Sequence, residues 1–333
     1  MVSIGIDIGG TNIAGGIVSE DLRLLCKRSI PFPGAQNPNA SIPAIAGLVQ
    51  SLLEEKEIPL SAVDSIGIAV PGSIDYTACS VIDAHNLGYH DFQLIQMLRM
   101  LLPEMTMYVE NDANAAALAE FYCGAFRGYT SGLLITIGTG IGGGLVLDGK
   151  LFVGGKKNGF EFGHAILQFG GESCTCGNLG CIESYCSATA LIRAGRRAAS
   201  MHPHCMIVQK CGGDGKKIDA KLVIDCAKAG DSIAMELFND YVAHLGAAIS
   251  TAIALFDPEV IALGGGVAAA GEFLLQPVRD YVAPRAFFRN FGKIVSAEMG
   301  NDAGILGAAM MHRQHKTKYG HKSVFTQTAS LLE

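Results

Sequence analysis

The stretch IGIDIGGTNIAGGIV, residues 4–18, returns 129 positions later as LLITIGTGIGGGLVL, residues 133–147, without a gap. In each copy apolar residues flank a glycine-rich tip and the pattern resumes beyond it, which spells a β-hairpin. Gly9 falls on Gly138, Gly15 on Gly144 and Asp7 on Thr136. Two such hairpins, each opening an α/β stretch, point to a duplicated α/β domain with a cleft between the halves.

A glycine-rich tip lets backbone N–H groups approach an oligophosphate without a Cβ in the way. Asp7, just before the first tip, is placed to orient Mg²⁺ on the same phosphates, usually through water. Taken alone, the first hairpin reads equally as a tight turn with a solvated aspartate; the second hairpin favours phosphate. Gly138, Gly140 and Gly143 also spell G-x-G-x-x-G, with Glu161 at a suggestive distance. That dinucleotide fingerprint requires the glycines to open a helix. Here they run into GLVLDGKLFVGG, strand-like residues around an Asp148-Gly149 turn, so a nicotinamide-dependent dehydrogenase is disfavoured. A third cluster, VIALGGGVAAAGEFL (260–274), reads as strand, loop and helix. A helix start beside Gly264, Gly265 and Gly266 suits a nucleotide's adenosine or phosphate end, with ordinary strand–helix packing as the alternative.

MYVENDANAAALAEFYCG (107–124) places a short apolar strand before Glu110-Asn111-Asp112 and an alanine-rich helix after it, stopping near Gly124. A carboxylate at a strand's C-terminal end lies where α/β folds bind ligands. Asp112 is suited to accept a proton from a substrate hydroxyl that Asn111 holds in place; the alternative is that either residue caps the helix. AVPGSID (69–75) and AHNLGYHDF (84–92) read as strand-end loops, in which Gly72 permits close approach of a ligand and Asn86 suits a hydroxyl, a plain turn role being the commoner alternative for each.

CTCGNLGCIE (174–183) puts Cys174, Cys176 and Cys181 inside eight positions, and His164 lies ten residues before the first. One imidazole and three thiolates make a tetrahedral Zn²⁺ set with no position left for water, hence a structural site; free thiols or an iron–sulfur cluster are the alternatives. Glu161 and Glu183 flank this loop, and carboxylates accept paired hydrogen bonds from the vicinal hydroxyls of a sugar; plain solvation is the alternative, less apt for two glutamates flanking one metal loop.

The chain of 333 residues carries a net charge of −6 and no sustained basic run, which disfavours nucleic acid as a partner. The patch HRQHKTKYGHK (312–322) reads as a solvated helix end and tail. No secretory signal or bilayer-length apolar run is seen, so no membrane partner is expected. Ten cysteines without an export signal suggest thiols and metal ligands in a reducing cytoplasm. The seven outside the cluster read as small core residues.

Together DIGGT (7–11), ENDANAAALAE (110–120), GTGIGGG (138–144), EFGH (161–164), CTCGNLGCIE (174–183) and LGGGV (263–267) resemble the ROK family of sugar kinases and repressors, within the actin-like ATPase superfamily, over about residues 1–312. The resemblance implies duplicated actin-like ATPase (ribonuclease H-like) α/β domains with an interdomain cleft. A small domain of 1–118 plus about 302–325 and a large one of 119–301 are expected. It implies Asp112 as catalytic base. Asn111, Glu161, His164 and Glu183 would be sugar contacts, with His164 also a zinc ligand through its other ring nitrogen. Asp7, Gly9–Thr11 (Gly9, Gly10, Thr11) and Gly138–Gly140 (Gly138, Thr139, Gly140) would form the ATP–Mg²⁺ site, and Gly264–Gly266 the adenosine side. Members are commonly homodimers or homotetramers.

Two departures bear on the sugar: Phe160 and Phe162 bracket Glu161 where small or aliphatic residues are usual, and Tyr89 stands where tryptophan is often found. Both are expected to reshape the sugar pocket. The activity expected is an ATP-dependent hexose kinase, glucokinase-like by default, with N-acetylmannosamine, allose or mannose as alternative acceptors. The first phosphate strand begins within a few residues of Met1, so no DNA-binding helix-turn-helix is expected. A sugar-responsive regulator, or a sugar-sensing protein without activity, is accordingly the lesser reading.

Overall fold

The first hairpin forms as it reads: Val2–Ile8 pairs antiparallel with Asn12–Ser19, Asp7 opposite Ala14. The second does likewise, Gly132–Ile137 against Ile141–Leu147, with Thr136 opposite Gly142. The structure is a computed structural model that describes residues 1–157 and 159–318. Two compact units divide the chain: Met1–Tyr122 with Gly155–Asn158 and the segment from Asp302 onward, and Cys123–Gly154 with Gly159–Asn301. The parts of the expected C-terminal return and basic tail beyond Lys318 lie outside the described residues.

Each unit is built on a five-stranded sheet of the same order. In the first unit the order is Leu24–Pro31, Asn12–Ser19, Val2–Ile8, Val63–Val70, Met107–Asn111; in the second it is Lys150–Leu151, Ile141–Leu147, Gly132–Ile137, Val260–Gly264, Lys293–Ser296. In both, three antiparallel strands are followed by two strands parallel to the first. The duplication inferred from two hairpins therefore extends to whole sheets. A three-stranded antiparallel sheet, Ser73–Asp75, Ser80–Ala84 and Tyr89–Phe92, belongs to the first unit.

Alternation along Val2–Ile8 decides what the first sheet carries. Ile4, Ile6 and Ile8 point to one face and are buried, joining Ile45, Leu48, Val49 and Leu52 of helix Ser41–Glu55 in one core. Gly5 and Asp7 share the other face. Helix Ala303–Lys318 lies there so closely that a methyl at Gly5 would overlap the carbonyl of Ile305, and one at Gly67 that of Ala308. The same register sets the Asp7 carboxylate against Gly304, in the first turn of that helix. Glycine at position 5 thus positions the aspartate two residues on.

In the second unit helix Ser232–Phe256 supplies much of the core through Phe238, Leu245, Ile249 and Ile253. Its start is capped by Asp231, whose side chain accepts from Ala234 N at 2.8 Å. After Ile141–Leu147 comes not a helix but the turn Asp148-Gly149, both residues at positive φ, as expected for the hairpin that excludes a dinucleotide fold.

Several expectations are corrected. Tyr89 does not line a pocket: it is fully buried, stacked on Phe92 at 4.1 Å, with its hydroxyl donating to Ser41 Oγ at 2.7 Å. Its strand places it inside the core, and burial pushes its pKa up to about 12. Phe162 is likewise a core residue, with Phe160 stacked on it at 6.0 Å and packed against the same core. All ten cysteines are free, and of the seven outside the cluster only Cys186, Cys205, Cys211 and Cys226 are buried; Cys26, Cys79 and Cys123 are half-buried. Among the described residues no helix is long and apolar enough to cross a membrane.

Candidate functional site

In the first unit, strand Met107–Asn111 passes directly into helix Asp112–Cys123. The junction is made by Asn111, whose Oδ1 accepts from Ala113 N at 2.9 Å and Asn114 N at 3.3 Å. Helix capping, one of its two sequence readings, is thus an observed role. Its Nδ2 donates to Gly72 O at 3.1 Å, leaving one amide hydrogen for a ligand. Gly72 has φ +92°, and the close approach it permits is made by the Asp83 carbonyl, which a methyl there would strike. Its predicted contact with substrate gains nothing from that space.

Glu110, buried at the strand's end, accepts from the Tyr76 hydroxyl, from Asn111 N at 2.9 Å and from Asn114 Nδ2 at 3.0 Å. Burial raises its pKa, and the three donors oppose the rise. The network escaped sequence reasoning: the i,i+4 spacing of Glu110 and Asn114 is a signal that could have shown it, whereas nothing local marks Tyr76.

Asp112 accepts from Ala113 N at 2.8 Å, and burial raises its pKa against that hydrogen bond. Asp7 is raised to about 6, first by burial and then by the charge of Asp112. A buried carboxylate whose ionisation the charge of a second one opposes makes a place where a cation is welcome. The first tip is near: Gly9 N donates to Asn12 O at 2.9 Å, and a methyl at Gly10 would lie 3.5 Å from Nδ2 of Asn86 in the turn His85–Leu87. Asp7, Asp112, Gly10, Asn86, Asn111 and Gly72 are thus linked within one unit.

In the second unit the tip Gly138–Gly140 is pinned from behind. Ala188 N donates to Gly138 O at 2.8 Å, and the Thr189 hydroxyl to Thr139 O at 2.7 Å. Gly138 N donates to Gly140 O at 3.0 Å and Ile141 N to Glu183 Oε2 at 3.0 Å. Among the described residues the N–H groups of Thr139 and Gly140 keep no acceptor, the state a phosphate oxygen requires. Glu183 lies so close that a methyl at Gly140 would overlap its Oε2.

The metal donors converge. His164 Nδ1 lies 3.7 Å from Cys174 Sγ, Cys176 Sγ lies 3.6 Å from Cys181 Sγ, and the four donors all fall within 4.8 Å of one another. A tetrahedral ion with bonds of about 2.3 Å to sulfur needs sulfur–sulfur separations of about 3.8 Å, so the set fits Zn²⁺. Burial, with the two neighbouring sulfurs, pushes the Cys181 thiol up to about 12, while the Asn178 N–H pulls Cys176 down. Glu183 Oε1 sits 3.8 Å from Cys174 Sγ and accepts from the Thr175 hydroxyl at 3.4 Å. Zinc loop, Glu183 and hairpin tip therefore form one connected piece. Glu161 stands exposed at the entrance to the turn Phe162–His164.

The strand, loop and helix read in 260–274 form in that order, but the helix start does not lie beside Gly264–Gly266. The helix starts at Glu272, after the turn Ala268–Ala270 and Gly271 at φ +64°, so these glycines open no helix. Three glycines before an alanine run supply no capping side chain, and the first stable turn forms farther on. Gly265, at φ +84°, packs instead on the backbone of Ile137, and Val267 N donates to Ile137 O at 3.2 Å. That contact still brings the cluster to the base of the second tip.

Residues 3–315 match the profile of the ROK family. The glucokinase of Thermotoga maritima is 36% identical over 316 residues, spanning 93% of this chain and 97% of that protein. The N-acetylmannosamine kinase of Escherichia fergusonii is 32% identical, spanning 95% of this chain and 100% of its own. The solved ROK family glucokinase of Streptomyces griseus, in complex with glucose and AMPPNP, superposes with a TM-score of 0.79 at 33% identity, covering 94% of this chain and 100% of that one. Profile, sequence relatives and shared fold agree from the first hairpin to the last helix: this chain belongs to the ROK family.

Proposed function

We propose that the protein is an ATP-dependent hexose kinase that transfers the γ-phosphoryl group of ATP to the 6-hydroxyl of glucose. The observation that carries this reading is Asp112, a carboxylate raised by burial at a strand's end, coupled to Asp7 at a glycine-rich tip. The glucokinases among its relatives support the acceptor. N-acetylmannosamine is the second reading, favoured by a relative nearly as similar.

In the proposed reaction Asp112 accepts the proton of the acceptor hydroxyl as the phosphoryl group moves in line from the nucleotide to the sugar oxygen. Phosphoryl transfer passes through a loose transition state, so positioning and charge neutralisation carry most of the catalysis and the proton leaves late. Asn111, its carbonyl committed to the helix cap, offers one amide hydrogen to that hydroxyl. Mg²⁺, when bound with the nucleotide, neutralises charge on the β- and γ-phosphates, and Asp7 is the group that would orient it. The free N–H groups of Thr139 and Gly140 donate to phosphate oxygens.

Glu161, Glu183 and the Nε2 of His164 take the ring hydroxyls. His164, Cys174, Cys176 and Cys181 would hold a Zn²⁺ ion, which would supply a structural clamp keeping His164 and Glu183 in place. Asn86, Gly72, Gly9–Thr11 and Gly264–Gly266 complete the proposed sugar and nucleotide contacts. The reading includes a homodimer or homotetramer and a place in the cytoplasm, the latter favoured by ten cysteines that form no disulfide.

The test is ADP release, coupled to an indicator enzyme, with glucose, mannose, allose, N-acetylglucosamine and N-acetylmannosamine. Glucose should give the highest kcat/KM. A tenfold preference for N-acetylmannosamine would transfer the assignment to the second reading, and no sugar-dependent turnover would end both.

A further inference from the structure

The three-stranded sheet of the first unit carries a second group of metal-type donors, independent of the thiolate set and of the proposed reaction. Asp83 and His90 are direct cross-strand partners in the hairpin of Ser80–Ala84 and Tyr89–Phe92, so their side chains share a face. His85 follows Asp83 by two positions, at the start of the turn. Its Nε2 lies 3.0 Å from Asp83 Oδ2, and His90 Nδ1 lies 2.9 Å from Asp83 Oδ1. The three donor atoms fall within 4.8 Å of one another, and the two rings stand 5.6 Å apart at 67°.

Asp83 Oδ1 is itself buried and receives no aligned hydrogen bond, although the His90 nitrogen is so near. An imidazole lone pair and a carboxylate oxygen at that distance repel unless a proton or a cation lies between them. The histidine side chains are 86% and 63% exposed, so solvent and ions reach them freely.

We propose that Asp83, His85 and His90 form a second metal site, for a divalent transition ion of the zinc class. Two imidazoles and one carboxylate select such an ion over Mg²⁺ or Ca²⁺, which prefer all-oxygen shells. Bonds of about 2.0–2.2 Å in tetrahedral or octahedral geometry put ligand atoms about 2.9–3.5 Å apart; each histidine already keeps that spacing from one of the two Asp83 oxygens, His85 from Oδ2 and His90 from Oδ1, so the carboxylate would chelate with both. Three protein ligands leave at least one position to water, so the ion is exchangeable, unlike one enclosed by His164 and three cysteines. It ties the turn His85–Leu87 to its hairpin, and that turn carries Asn86 beside Gly10, while the Asp83 carbonyl backs Gly72.

The test is equilibrium dialysis of the full chain against Zn²⁺, with metal and protein quantified together, and again against Co²⁺ with absorption spectra. The wild type should bind one equivalent more than His85→Gln/His90→Gln. The extra Co²⁺ should add ligand-field bands without cobalt–thiolate charge transfer. His85→Gln alone, at a side chain that packs against little, should weaken the weaker-bound ion at least tenfold and leave the circular dichroism unchanged. Equal stoichiometry in wild type and double variant, unchanged affinity in His85→Gln, or extra binding retained by both variants would overturn the proposal, the histidines then making only proton-mediated pairs with Asp83.

Discussion

Replacing Asp7 by asparagine should make the protein more stable and less active at once. In the folded chain Asp7 is raised from 3.8 to about 6, by burial and then by Asp112. The folded state therefore holds its proton more tightly than the unfolded state across that interval. Because stability changes with pH as the difference in bound protons, unfolded minus folded, it falls as pH rises from about 4 to about 6. The shift of about 2.2 units, at about 1.4 kcal/mol per unit, amounts to ~3 kcal/mol of destabilisation at pH 8, absent below pH about 3.5. The amide side chain would keep the shape of the carboxylate and remove its charge. The assay is urea denaturation followed by circular dichroism, the chain having no tryptophan, in metal-free buffer at several pH values. Asp7→Asn should match the wild type near pH 4 and exceed it by roughly 2–3 kcal/mol at pH 8. Mg²⁺ with nucleotide should narrow that gap by stabilising the wild type alone. A variant no more stable than wild type at pH 8, or a gap independent of pH, would show that the Asp7 carboxylate carries no such strain.

Gly140→Ala places a methyl on the Glu183 carboxylate and breaks its bond to Ile141 N; KM for the hexose should rise severalfold, and unchanged kinetics would separate Glu183 from the sugar. Cys176→Ser removes one of four donors, so the tightly held zinc equivalent should be lost on dialysis and proteolysis within 165–182 should quicken. Tyr76→Phe takes a donor from buried Glu110 and should cost ~1–3 kcal/mol in urea denaturation, with kcat lowered because Glu110 also receives Asn111 N.

What sequence showed of this molecule was local or repeated. Two gapless hairpins announced a duplicated sheet, and a strand running into an alanine-rich helix located Asp112 where that strand meets that helix. The cysteine spacing and His164 announced a cluster that does converge within 4.8 Å. What failed depended on contacts distant in the chain. Tyr89 reads as a pocket residue until Phe92, Phe32 and Ser41 enclose it. Gly72 and Gly265 read as glycines that leave room for a ligand, but the space a Cβ would fill at each is taken by backbone distant in the chain. Asn111 could be assigned to cap or to substrate only once its carbonyl was seen spent on two helix amides. The Asp83–His90 pair was hidden because it depends on strand register, which neither residue announces.

In the proposed reaction a hexose hydroxyl surrenders its proton to Asp112. The most direct measurement is kcat for glucose 6-phosphate formation by Asp112→Ala beside the wild type, with glucose affinity measured on both by calorimetry. Loss of a general base should lower kcat by about 10²–10⁴ while affinity stays within a few-fold. A variant that binds glucose normally and keeps more than about a tenth of wild-type turnover, above the range expected for such a loss, would contradict the claim.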